Sequence, residues 1–157
     1  MLKKISINFE AVEAMLYFWQ AIKDKEKVPE KFIYDIADMP GMKEVYDEEF
    51  DGESVRKVLS AIKNREVLAF RTKKEARFWN NNLWMMEDLD YASSMVQPIK
   101  KLNLDDMADG QGDKEIEVIF VPFHFDEYLL KDNKLIINFF KLKPDQDLKT
   151  LIKEILK

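Results

Sequence analysis

Apolar side chains recur along this chain with two different periods, and the switch between them divides it. Val12, Met15, Leu16, Trp19 and Ile22 stand three and four residues apart, which places them on one face of a helix, with Asn8 as the expected cap. A second helix is predicted from Pro29, a residue suited to a first turn, and it stops before Met39, where Pro40 and Gly41 are expected to force a turn. A third, from about Asp51 to Asn64, turns Val55, Val58, Leu59 and Ile62 inward. The longest predicted helix starts at Thr72. There Thr72 and Glu75 have the spacing of a capping box, in which each side chain accepts a hydrogen bond from the other's backbone amide. Phe78, Asn82, Met85, Leu89, Ala92, Val96 and Ile99 follow at alternating steps of four and three, so this helix is the expected spine until Pro98 kinks or ends it. Trp79, Trp84, Tyr91 and Met95 lie off that seam, which implies a wide buried face or a second covered one. Asn82, the polar member of the seam, requires a partner if it is buried.

Beyond the loop at residues 104–114 the period becomes two. Ile116, Val118 and Phe120 alternate with Glu115, Glu117 and Ile119, and Leu135, Ile137 and Phe139 alternate likewise, so both stretches read as strands. Asp132-Asn133 suits a tight turn, which makes Tyr128 to Leu130 a short strand hairpinned to the one that follows. A last helix opens at Pro144-Asp145 and carries Leu148, Leu151, Ile152 and Ile155 on one side. The expected fold is α+β, mainly a helical bundle with a long central helix packed on a small antiparallel sheet. It is read as a single domain over residues 1–157, with a helical part at 1–104, a β-hairpin region at 115–140 and a C-terminal helix at 145–157. A composition of 46% hydrophobic and 12% aromatic residues is enough for one core and leaves little for a second.

Charge and residue inventory narrow the chemistry. A formal net charge of −5 repels a phosphate backbone, so no nucleic-acid partner is expected. The absence of cysteine removes disulfides, thiolate zinc sites and thiol catalysis. No stretch approaches the roughly 18 uninterrupted apolar residues of a membrane span, and Asn8, Glu10 and Glu13 break the run that an export signal needs. A mature, cytoplasmic protein with no membrane partner is the expectation. No glycine-rich phosphate loop or G-x-S-x-G elbow occurs. The acidic run Tyr46 to Glu53 reads as a solvated helix entrance.

His124, the one histidine, is followed by Asp126 and Glu127. A zinc site draws on several imidazole, thiolate or carboxylate ligands, so no metal ligand, cofactor or catalytic residue is expected. His124 reads instead as a partly buried loop residue between Phe123 and Phe125, bonded to a backbone carbonyl. Trp79, Trp84, His124, Asp126 and Glu127 are the candidate ligand-contacting residues, and Trp79, Trp84 and Met85 are the candidate walls of an apolar pocket.

The C-terminal third, with its strand Ile116 to Pro122, its hairpin Asp126 to Phe140 and its helix Leu148 to Lys157, resembles the region leading into the active-site helix of predicted HExxH zinc peptidases, a gluzincin-like bacterial set. The resemblance implies two zinc-binding histidines and a general base on the helix after the hairpin. In this chain that stretch reads Lys153-Glu154-Ile155-Leu156-Lys157, in which only Glu154 matches. Lysines at both ligand positions would be protonated and repel a metal. The likeness therefore implies either a metal-free relative or a peptidase whose motif lies beyond this chain. The expected function is non-catalytic engagement of a protein or peptide partner, by addition of a strand to an exposed sheet edge along Leu135 to Phe140. A hydrolase and a small-molecule sensor are the alternatives.

Overall fold

Val118, Ile119, Phe120 and Val121 are consecutive apolar residues, and a strand alternates its faces, so this segment must be covered on both sides. The computed structural model, which describes residues 2–124 and 126–157, places it at the centre of a sheet. The described residues form β1 (Leu2–Asn8), α1 (Glu10–Lys23), α2 (Glu30–Ala37), α3 (Pro40–Lys43), α4 (Gly52–Asn64), α5 (Lys73–Glu87), α6 (Leu89–Lys100), β2 (Lys114–Val121), β3 (Tyr128–Lys131), β4 (Lys134–Asn138) and α7 (Leu148–Ile155). The strand order is β1-β2-β4-β3, with β1, β2 and β4 parallel and β3 antiparallel to β4. The fold is α+β, and its sheet is mixed instead of antiparallel.

Three expectations about the elements need correction. Periodicity predicts no element over Leu2 to Asn8, which is a strand because Ile5 and Ile7 pair with Ile116 and Val118 of β2. The N-cap of α1 is Phe9, and the Asn8 side chain accepts from the Glu10 amide at 3.1 Å. The spine is two helices. At Asp88 the backbone leaves the helical region (φ −139°, ψ 87°), and its carboxylate accepts from the Tyr91 amide at 3.0 Å, capping a new helix. The apolar seam survives the break, with Phe78, Asn82, Ala92, Val96 and Ile99 all buried. Pro98 lies inside α6, which ends two residues later. Pro40 and Gly41 start a single helical turn instead of a bend. A Cβ on Gly41 would lie 3.0 Å from Ile119 Cγ2, so the missing side chain lets α3 lie against β2.

Buried apolar residues from Ile5 to Ile152 join in one cluster. Its largest member is Trp19, whose indole stacks on Phe139 and donates from Nε1 to Asn82 Oδ1 at 2.8 Å. Among the described residues no helix is long and apolar enough to cross a membrane.

Candidate functional site

The helices α1 and α4 end in near-identical sequence, Ala21-Ile22-Lys23-Asp24-Lys25-Glu26 and Ala61-Ile62-Lys63-Asn64-Arg65-Glu66. Their ends fold alike. Lys25 (φ 60°) and Arg65 (φ 56°) take the left-handed conformation that usually falls to glycine. The amides of Glu26 and Glu66 then bond back to Ala21 and Ala61 at 2.9 Å, and those of Lys25 and Arg65 to Ile22 and Ile62. After Arg65 the chain returns through Leu68 and Phe70 to α5. These turns and α5 enclose a cleft of about 590 Å³. Ile22 and Ile62 come from the two helix ends, while Trp79, Leu83 and Met86 come from one face of α5 at spacings of four and three. Phe70 meets Trp79 edge-on at 5.8 Å and is itself partly exposed. Lys23, Arg65 and Glu66 supply the charged groups of the lining, and Val67 among the lining residues is 99% exposed.

The expected pocket of Trp79, Trp84 and Met85 is thus realised only at Trp79. Trp84 is 77% exposed, and neither it nor Met85 lines the cleft. Positions five apart on a helix point about 140° away from each other, so Trp79 and Trp84 cannot share one narrow face.

His124 is 5% exposed, while Asp126 and Glu127 are exposed. The imidazole lies against Phe50 with ring centroids 4.4 Å apart. Among the described residues no backbone carbonyl takes the expected hydrogen bond. Nε2 is 3.6 Å from Asp47 Oδ2, too long for a good hydrogen bond, and the buried Nδ1 has no partner among the described residues. Phe125, the expected second aromatic neighbour, lies outside the described residues. Burial pushes the imidazole pKa down to about 4, against the opposing charges of Asp47 and Asp126 and with the support of Lys74. Among the described residues no group of three His, Cys, Asp or Glu side chains could hold a metal ion.

Two acidic residues that periodicity did not single out organise the neighbouring core. Asp47 accepts from the amides of Glu49 and Phe50 and from Lys74 Nζ at 2.6 Å, so part of the acidic run is a pinned loop and not a solvated one. The same run does supply a helix entrance, since Asp51 caps α4 in a reciprocal pair with Ser54. Glu75 is buried and accepts from Ser54 Oγ at 2.6 Å, Lys57 Nζ at 2.8 Å and the Arg71 amide at 2.8 Å. Burial raises its pKa, but these three donors together hold it below the ordinary carboxylate value. The expected capping box is therefore half formed. Thr72 accepts from the Glu75 amide, but the Glu75 carboxylate reaches Arg71 and α4 instead of the Thr72 amide.

The sheet edge also falls elsewhere. Leu135 to Asn138 lie in β4, between β2 and β3, and are buried, while Phe139 and Phe140 belong to a 3-10 turn. The edge on that side is β3, where Tyr128 and Leu130 are exposed. Compared with known proteins, the chain matches no family model, no curated protein and no solved structure.

Proposed function

We propose that the protein is a non-catalytic binding domain whose cleft between α1, α4 and α5 takes a small, predominantly apolar molecule. The observation that carries this reading is the cleft itself. Its volume of about 590 Å³ lies inside the range of about 300–1,000 Å³ typical of small-ligand sites, and apolar side chains dominate its walls. Lys23, Arg65 and Glu66 would orient a polar end of the ligand. The burial of His124 supports a binding role over an acid/base one, since a proton carrier must reach its substrate. A second reading, in which a protein partner inserts an apolar side chain, is favoured by the near-complete exposure of Val67. The likeness to HExxH peptidases bears on neither. The residues in the place of that motif, Lys153 to Lys157, straddle the end of α7, whose last residue is Ile155.

Titration with the neutral fluorophore N-phenyl-1-naphthylamine tests the reading. Saturable, one-to-one enhancement is expected, with affinity lowered about tenfold or more by Leu83→Arg, equivalent to at least ~1.4 kcal/mol, and unchanged by Trp84→Ala. Absence of saturable enhancement, or equal affinity in Leu83→Arg, contradicts it.

A further inference from the structure

We infer that β3 is a self-association edge, along which two copies of the chain pair antiparallel about a two-fold axis at Leu129. The inference stands on the hydrogen-bond alternation of the β3–β4 ladder and is independent of the cleft. The Asn138 amide bonds to the Glu127 carbonyl at 2.9 Å, so residues 127 and 138 form a hydrogen-bonded pair. In an antiparallel ladder such pairs alternate, which assigns Leu129 opposite Ile136 and Lys131 opposite Lys134 to the same class. The N–H and C=O groups of Tyr128 and Leu130 consequently point away from β4. Among the described residues no further strand pairs with β3. Leu130 is 54% exposed and Tyr128 is exposed beside it, so an apolar edge with unpaired backbone groups faces outward.

Only registers that set outward-facing residues opposite one another can bond. Tyr128 opposite Tyr128 brings Leu130 against the acidic Asp126. Leu130 opposite Leu130 brings Tyr128 against Asp132, whose φ of 48° has left extended geometry. Tyr128 opposite Leu130 uses both outward residues of each copy and closes four intermolecular backbone bonds. Leu129 then faces Leu129 across the axis, the exposed Tyr128 and Leu130 cover each other twice, and Glu127 faces Lys131 twice with opposite charge. The Lys131 ammonium also meets the Glu44 carbonyl within its own chain. Asp126 comes opposite Asp132 just past the strand ends, where the turn at Asp132 carries the chain away. A second copy of this chain thus matches backbone, apolar contacts and charge together. A four-residue strand buries less than the ~1,200 Å² of a standard interface, so the association is weak and depends on concentration.

Sedimentation velocity over a concentration series tests this, with circular dichroism as the control for folding. Wild-type protein is expected to dimerise as concentration rises. Glu127→Lys, which sets lysine against lysine twice, should move the transition to about tenfold higher concentration, and so should Lys131→Glu. An equimolar mixture of those two variants should dimerise at least as well as wild type, since each then supplies the other's missing charge. Leu130→Pro removes only an outward-facing N–H, which an edge strand tolerates, and should be a folded monomer. A wild-type protein that stays monomeric overturns the proposal, as do charge variants that dimerise like wild type with no preference for each other.

Discussion

The Trp19 indole donates its N–H to the Asn82 side-chain carbonyl at 2.8 Å between two fully buried groups 63 residues apart in sequence. The Asn82 amide nitrogen in turn donates to the Phe78 carbonyl at 2.7 Å, so the asparagine satisfies both α1 and its own helix. Either Trp19→Phe or Asn82→Leu strands a buried polar atom and should cost about 1–3 kcal/mol. The double variant should cost less than the sum, because it removes donor and acceptor together. Urea unfolding of the four proteins measures the coupling.

Acid should destabilise the fold through His124. Its pKa falls from 6.5 in the unfolded chain to about 4 in the folded protein, so between those values the unfolded chain binds the additional proton. The stabilisation is complete above pH 6.5 and is lost as pH falls toward 4, amounting to about 3 kcal/mol. The groups acting on the imidazole are Asp47 from the loop before α4, Lys74 from α5 and Asp126 from its own segment. Since the chain has no other histidine, His124→Leu should flatten the pH dependence of unfolding free energy in this window.

Glu75 joins the starts of α4 and α5, and its removal should be among the more damaging single changes. Glu75→Leu takes from the buried Ser54 hydroxyl its nearer acceptor, leaving it the longer contact to Asp51 Oδ1 at 3.3 Å, and takes from Lys57 its counter-charge. The loss should be about 3 kcal/mol, at the low end for a broken buried pair, because the Lys57 side chain is 31% exposed and can turn to water. Glu75→Gln keeps an acceptor for Ser54 and should cost less. Thermal unfolding of the two variants separates the charge from the hydrogen bond.

What local periodicity determines, the sequence revealed. The helix from Asp51, the turn at Asp132, and the demand of Asn82 for a partner all follow from neighbours a few residues apart, and all appear in the fold. The failures are non-local. In Leu2 to Asn8 the adjacent Lys3 and Lys4 obscure the alternation, and the segment becomes a strand only because β2, more than a hundred residues later, lies beside it. Adjacency in sequence suggested an antiparallel hairpin sheet, whereas β2 enters between β1 and β4 as a parallel strand. At Asp88 neither glycine nor proline marks the break, and the apolar seam runs through it undisturbed. The cleft needs the ends of α1 and α4 to meet one face of α5, which no single window shows. Its sequence signals are Trp79, the member of the expected apolar pocket that does line it, and the repetition of Ala-Ile-Lys-Asp-Lys-Glu as Ala-Ile-Lys-Asn-Arg-Glu forty residues on, in the two helix ends that form part of its walls.

The three tryptophans occupy three different environments, Trp19 in the core, Trp79 on the wall of the cleft and Trp84 in solvent. Their indole N–H signals in a ¹H–¹⁵N spectrum therefore report the place of binding directly. Titration with N-phenyl-1-naphthylamine should shift the Trp79 signal in a saturable manner and leave those of Trp19 and Trp84 where they are. A probe that moves Trp84 while Trp79 stays fixed, or that binds without moving any of the three, would contradict the assignment of the cleft as the binding site.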